Sequence, residues 1–145
     1  MSKQRVLIDT NILVYAFNDK SSQHGESIRF LETNIGAYRY CLAYQNLVEF
    51  YSLVTGNKSV DNPLTSQQAA EEVRNYVADG VYEIILPKLS TIKTVGTLLE
   101  KYPARGPEIH DVHLAAVMLD NGVDAICTYD SKIFSKLGLK VISPR

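Results

Sequence analysis

The stretch RVLIDTNILVYAF, residues 5–17, decides the fold, because it sets one carboxylate between two apolar segments. Val6-Leu7-Ile8 is typical of a short buried strand, and residues 12–17 are apolar again and favour a helix. Asp9 lies where the strand is predicted to end. A carboxylate at this point either caps the following helix or belongs to a site, and this stretch alone leaves both roles open.

Short apolar strands alternate with helices along the rest of the chain. Strands are predicted at Val6–Ile8, Tyr40–Ala43, Glu83–Leu86 and Ala125–Thr128, with a fifth at one edge at Lys140–Ile142. Helices are predicted near Asn11–Phe17, Ser27–Asn34, Gln45–Val54, Thr65–Gly80, Ser90–Tyr102, Ile109–Asn121 and Lys132–Phe134. This alternation indicates an α/β fold with a mostly parallel sheet covered on both faces. Ligands of such sheets bind beyond the carboxyl ends of the strands, near a switch in strand order.

Length and composition narrow the class of protein. The 145 residues fit a single domain, residues 1–145. The formal net charge of −1 does not indicate a basic nucleic-acid-binding domain, although a local basic patch can bind nucleic acid. Cys41 and Cys127 lie in apolar strand-like runs and are predicted to be buried free thiols. No leader sequence and no membrane-length apolar run is recognisable, so a cytoplasmic protein is expected.

Three further carboxylates deserve comparison with Asp9. Glu49 lies on the more polar side of its predicted helix, Asp111 in the first turn of its helix, and Asp130 just after a strand. Each has an ordinary structural explanation: a solvated helix face for Glu49, the helix dipole for Asp111, and a cap or turn for Asp130. Taken singly, none of them identifies a site.

Together the four acids indicate a metal site. Asp9 and Asp130 follow parallel strands and should share one edge of the sheet, and Asp111 begins the helix that leads into the strand before Asp130. Clustered carboxylates repel one another unless a cation joins them. Oxygen ligands suit Mg²⁺ or Mn²⁺, which can activate water and neutralise a phosphodiester.

The chain also resembles the PIN-domain ribonucleases, and most of all the VapC-type toxins of bacterial toxin–antitoxin pairs. The stretches IDTNILVYAF, QNLVEF, HDVHLAAVML and CTYDSKIF resemble the four motifs of that family, in order, within residues 5–142. The resemblance implies that the catalytic metal ligands are Asp9, Glu49, Asp111 and Asp130. It implies that Thr10, Asn11 and Thr128 support them through hydrogen bonds and that Phe134 is an apolar anchor.

The resemblance further implies a three-layer α/β/α sandwich and Mg²⁺- or Mn²⁺-dependent cleavage of single-stranded RNA. It implies a homodimer and a small antitoxin as partner. Ala43 departs from the pattern, because the family often has Ser or Thr before the second motif, and this puts the local hydrogen bonding in question.

Three segments keep two interpretations each. The loop Thr55–Pro63 either shapes substrate choice or only connects two helices. His110 either reaches a phosphate or, like His113, has a surface or packing role. Tyr38-Arg39-Tyr40 mixes aromatic and basic residues as single-strand binders do, or is simply the entry to a strand.

Two other functions compete with the nuclease. A phosphate-accepting receiver module is also a small α/β domain with an acidic magnesium pocket, but it needs an acceptor Asp after its middle strand. Here the third strand runs into Leu86-Pro87-Lys88. A PIN-like scaffold that only binds partners would not need four acids.

Overall fold

The computed structural model describes residues 3–145, and its centre is a five-stranded sheet in which every pairing is parallel. The strands are β1 (Gln4–Ile8), β2 (Tyr38–Ala43), β3 (Tyr82–Ile85), β4 (Ala125–Cys127) and β5 (Lys140–Ile142). Their order across the sheet is β3-β2-β1-β4-β5. The five predicted strands are confirmed, and β5 lies at an edge as expected.

Helices cover both faces of this sheet. They are α1 (Thr10–Phe17), α2 (His24–Asn34), α3 (Tyr44–Thr55), α4 (Ser66–Ala78), α5 (Thr91–Lys101), α6 (Ile109–Asp120) and α7 (Lys132–Lys136), with a 3-10 turn at Gly106–Glu108. Helix α4 begins with a capping box, because Thr65 Oγ1 accepts from Gln68 N–H and Gln68 Oε1 accepts from Thr65 N–H.

Helix α2 begins a turn earlier than the sequence predicts. Ser27 lies inside the helix, fully buried, and its hydroxyl hydrogen-bonds the hydroxyl of Tyr129 at 2.9 Å. Its polar side chain is therefore satisfied by a distant residue and does not cap the helix. The N-terminal turn is instead tied to α1, since His24 Nδ1 lies 2.9 Å from the carbonyl oxygen of Tyr15.

The sheet separates two hydrophobic cores, as its strand pattern requires. Along β1, Val6 and Ile8 pack with α1, α2, α3 and α4, whereas Leu7 packs with α5, α6 and α7. Cys41 and Cys127 are buried free thiols on opposite faces of the sheet, as predicted. The predicted three-layer α/β/α sandwich is confirmed.

The strand order fixes where a ligand can bind. The chain moves from β1 outward to β2 and β3, then returns to place β4 on the other side of β1, so the switch in order lies between β1 and β4. Receiver modules have the order 2-1-3-4-5. Here β3 lies at an edge, which excludes the receiver interpretation. Among the described residues, no helix is long and apolar enough to cross a membrane.

Candidate active site

Asp9 lies at the switch point, and the structure shows that it is a helix cap. It is the N-cap residue of α1, and its Oδ1 accepts a hydrogen bond from the N–H of Thr10 at 2.8 Å. Its Oδ2 accepts from the hydroxyl of Thr128 at 2.7 Å. The cap holds the carboxylate at the end of β1, where a rigid strand keeps it in place.

The end of β4 is joined to the end of β1 by the parallel register. Ile8 pairs with Cys127, and the N–H of Asp9 donates to the carbonyl of Cys127 at 3.0 Å. This places Thr128 beside Asp9, and the same hydroxyl accepts from the N–H of Asp130 at 3.0 Å. Phe134 of α7 is 1% exposed and packs into the core, so it anchors the segment that carries Asp130.

Glu49 and Asp111 lie on two helices that approach the same edge from opposite layers. Gln45, one turn before Glu49 on α3, donates from Nε2 to the carbonyl of His110 at 2.8 Å. Its Oε1 lies 2.9 Å from Nδ1 of His113, which must donate because an amide oxygen only accepts. These two bonds fix the start of α6, and with it Asp111, against α3.

A buried polar link beneath the acids was not predicted as part of the site. Asn46 is fully buried on α3; its Nδ2 donates to Thr10 Oγ1 at 3.0 Å and its Oδ1 accepts from the N–H of Ala43 at 2.9 Å. Asn46 therefore satisfies the backbone N–H of the N-cap residue Ala43, which is the half of a capping box that needs no hydroxyl at the cap. The sequence feature that could have predicted this role is the position of Asn46 three residues after the end of β2, from which a side chain can reach back to the N–H of the N-cap residue.

The four carboxylates act on one another through their charges. Burial raises the pKa of Asp9, and the charge of Asp130 raises it further. Partial desolvation raises the pKa of Glu49, and the charges of Asp9 and Asp111 add to it. Desolvation, followed by the charges of Asp9 and Asp130, raises the pKa of Asp111 to about 6. The structure thus brings the four predicted acids into one electrostatic cluster.

This crowding predicts how the stability of the metal-free protein changes with pH. An acid with a raised pKa destabilises the fold while it is ionised, so the cost is present above the folded pKa and disappears as the pH falls towards the ordinary value. For Asp111 that window runs from about 6 down to 3.8. In EDTA, Asp111→Asn should therefore melt higher than the wild type at pH 7.5, and the two melting temperatures should converge as the pH falls towards 3.8. A difference that does not change with pH would contradict this account of the cluster.

The donor set suits a hard divalent cation. All four predicted ligands offer carboxylate oxygens, the donors that Mg²⁺ and Mn²⁺ prefer. Within residues 3–145, no group of three or more Asp, Glu, His or Cys side chains is arranged to hold an ion directly. Mg²⁺ usually keeps several waters and binds proteins through one or two carboxylates. The residues therefore fit a hydrated ion and do not form an all-protein cage.

Asn11 lies outside the hydrogen bonds that join Asp9, Thr10, Asn46 and Thr128. Its Oδ1 is buried and has no hydrogen-bond partner. A buried acceptor without a partner costs about 1–3 kcal/mol, so its presence beside the acids requires an explanation.

The other segments with two interpretations are now located. His110 is exposed beside Gln45 and Glu49, on the rim of a cavity of about 490 Å³. The Tyr38–Tyr40 segment begins β2 and so lies at the amino edge of the sheet, away from the acids. Tyr40 is buried and Arg39 donates to the carbonyl of Gly80, which favours the role of strand entry.

Basic side chains adjoin the acids on the side of α7. Lys132 and Lys136, one turn apart and exposed, line a cavity of about 320 Å³ together with Asp111 and Asp130. A phosphate that approached the acids here would meet two positive charges. These two lysines form a local basic patch that can attract a phosphate, although the net charge of the whole chain is slightly negative.

Comparison with known proteins agrees with this fold. The family model of the PIN domain matches residues 6–140. The chain is 28% identical over 126 residues to Ribonuclease VapC37 of Mycobacterium tuberculosis, covering 86% of this chain and 87% of that protein. It is 27% identical over 131 residues to Ribonuclease VapC24 of the same species, covering 90% of each.

Solved structures share the architecture at lower identity. The structure of VapBC2 from Rickettsia felis bound to a promoter DNA fragment contains a chain with a TM-score of 0.69 and 19% identity, covering 97% of this chain and 98% of that one. Mycobacterium tuberculosis VapC20, a sarcin–ricin loop cleaving toxin, also has a TM-score of 0.69, at 17% identity, covering 92% and 95%. With its family model matched over almost the whole chain and its four acids gathered at the switch point, the chain belongs to the PIN domain family.

Proposed function

We propose that this chain is a metal-dependent endoribonuclease that hydrolyses single-stranded RNA and serves as the toxin of a toxin–antitoxin pair. The observation that carries the proposal is the cluster of four acids, drawn from four separate segments, at the switch point of the sheet. The two curated relatives named above are ribonucleases, which supports the same activity here.

In this proposal Asp9, Glu49, Asp111 and Asp130 are the catalytic residues and hold Mg²⁺ or Mn²⁺. A divalent metal is a general requirement of PIN ribonucleases. Such an ion, when bound, lowers the pKa of a water and neutralises charge on the phosphodiester. The raised pKa values of Asp9, Glu49 and Asp111 support this role, since a cation would relieve the repulsion that raises them.

The supporting residues orient these acids. Thr128 donates to one oxygen of Asp9 while the N–H of Thr10 donates to the other, so the carboxylate cannot rotate freely. Thr10 is itself held by Asn46, which ties α1 to the start of α3. Lys132 and Lys136 would attract the RNA backbone towards the acids.

A scaffold without activity is the remaining alternative. Such a protein would gain nothing from retaining four mutually repelling carboxylates, because the repulsion lowers its stability. The geometry therefore favours the enzyme.

The proposal extends to partners and location. Structures of related fold include toxin–antitoxin complexes from Klebsiella pneumoniae and Haemophilus influenzae, and a small antitoxin is the inhibitor we propose for this chain. Exposed apolar side chains near the site, among them Tyr44, Val48 and Ile109, suit the surface of a homodimer. We place the protein in the cytoplasm, where its RNA substrates are, and treat residues 1–145 as one domain.

The experiment that tests this function is a cleavage assay with defined RNA. Single-stranded RNA should be cut in the presence of Mg²⁺ or Mn²⁺ and left intact in EDTA, and a fully duplex RNA of the same sequence should resist. Intact single-stranded RNA under all metal conditions would favour the scaffold.

A further inference from the structure

A third cavity lies near the start of α1, in the layer of helices opposite Lys132 and Lys136. It has a volume of about 330 Å³, at the small end of the range of ligand pockets, roughly 300–1,000 Å³. Its lining residues come from α1, α3 and the loop after α3: Asn11, Val14, Tyr15, Leu53, Lys58 and Ser59. The proposed nuclease function uses none of these residues.

The chemistry of this cavity is mixed in a way that suits one nucleotide. Val14 and Leu53 supply apolar surface, and Tyr15 supplies an aromatic ring that is held edge-on by Tyr129 with the ring centroids 5.2 Å apart. Lys58 is exposed and carries the positive charge of the lining. Aromatic and apolar surface binds a nucleobase, and a lysine binds a phosphate.

The amide of Asn11 gives the cavity a polar group that is not yet paired. Its Oδ1 is buried, has no partner among the described residues, and belongs to a side chain that lines this cavity. Asparagine amides pair with base edges, the acceptor oxygen receiving a base amine. Oδ1 has almost no accessible surface where it lies, so a rotation of the Asn11 side chain that turns this oxygen into the cavity would let a bound base satisfy an acceptor whose burial otherwise destabilises the protein.

The loop Thr55–Pro63 is held in place where it forms the wall of this cavity. Val60 is buried at 5% exposure, and the N–H of Leu64 donates to the carbonyl of Val54 at 2.8 Å. Asn18 at the end of α1 donates to the carbonyl of Ser59 at 3.4 Å. The loop that the sequence left as either a connector or a specificity element is therefore anchored at both ends and in its middle.

Position along the chain connects the cavity to the chemistry. Asn11 is two residues from Asp9, so their Cα atoms lie no more than about 7 Å apart. We propose that this cavity binds the base of an unstacked nucleotide next to the scissile phosphate, with Asn11 reading the amine edge of the base and Lys58 contacting the backbone. The proposal rests on the proposed ribonuclease function and adds to it a specificity-determining subsite.

The test fills the cavity from its exposed rim. Ser59 is exposed, so Ser59→Phe should fold normally and place a ring in the base-binding space. After the main cleaved bond has been mapped, the same RNA is made with a single abasic nucleotide at each position around that bond. For the wild type, one position should show a loss in kcat/KM of about tenfold, a typical effect of losing one stacked base. In Ser59→Phe the intact RNA should show a similar loss, and the abasic change at that position should have no further effect.

A binding measurement separates this proposal from the catalytic one. The affinity for a short single-stranded RNA, measured by fluorescence anisotropy in EDTA, should fall about tenfold in Ser59→Phe and should fall in Lys58→Ala together with its salt dependence. Lys93→Ala, an exposed lysine on α5 in the other helical layer, should bind as the wild type does. A wild type that binds in this pattern but never cleaves would refute the ribonuclease and support the subsite. Ser59→Phe with unchanged affinity and an unchanged abasic profile would overturn the subsite.

Discussion

Asp9→Asn is expected to abolish RNA cleavage while leaving the metal-free protein as stable as the wild type, or more stable. The substitution removes one negative charge from the centre of the cluster, since Asp9 is the carboxylate whose charge raises the pKa of both Glu49 and Asp111. Removing that charge relieves repulsion in the absence of metal. It also removes an oxygen ligand of high charge when metal is present.

The local hydrogen bonds can survive this change. An asparagine at position 9 keeps an acceptor oxygen for the N–H of Thr10, the bond that caps α1. Its amide can donate to the hydroxyl of Thr128, which reverses the polarity of the present 2.7 Å bond without breaking it. If Asp9 were only a cap, stability and activity would therefore both be retained.

Four melting curves and one cleavage assay decide between these roles. A ligand that binds only the native state stabilises it by about 2.7 kcal/mol at a hundredfold excess over Kd. The wild type should melt higher in Mn²⁺ than in EDTA, and Asp9→Asn should lose most of that difference. Asp124→Asn, which changes an exposed acid at the start of β4 and at the opposite edge of the sheet, should keep both the shift and the activity. If Asp9→Asn were active and melted as much higher in Mn²⁺ than in EDTA as the wild type does, Asp9 would be only a helix cap.

Asn46→Ala is expected to cause the largest loss of stability among the polar substitutions around the site. The change leaves the buried N–H of Ala43 and the hydroxyl of Thr10 without their partner and opens a small void. An unsatisfied buried donor together with lost packing costs about 2–3 kcal/mol. The same change unties α1 from α3, so cleavage should fall even at temperatures where the protein remains folded.

The matched control for this prediction is another helical asparagine. Asn75 is exposed on α4, and Asn75→Ala should change the free energy of unfolding by no more than about 0.5 kcal/mol. Urea denaturation of both variants gives the comparison. Equal midpoints for Asn46→Ala and Asn75→Ala would show that the buried link does not support the fold.

The sequence was sufficient to predict that Asp9 and Asp130 lie at one edge of the sheet, because their placement follows from parallel strand geometry. Asp9 and Asp130 each follow a short apolar strand, and parallel strands end at one edge. Asp111 could be predicted at the same edge only in part, since the direction of α6 depends on packing that a sequence does not show. The observed pairing of β1 with β4 brings Asp9 and Asp130 to the same edge.

The links between elements could not be predicted in the same way. Gln45 joins α3 to His110 and His113 of α6 across more than sixty positions of sequence. No local pattern marks such a contact. Ser27 illustrates the same limit, because the partner of its buried hydroxyl is Tyr129, 102 positions away along the chain.

The measurement that tests the central claim most directly is the chemical identity of the new 5′ end of the cleaved RNA. If the four acids and a divalent ion activate water, the product carries a 5′-phosphate, and no product forms in EDTA. A 5′-hydroxyl paired with a 2′,3′-cyclic phosphate, formed equally well in EDTA, would show attack by the 2′-hydroxyl of the RNA without metal and would contradict the account.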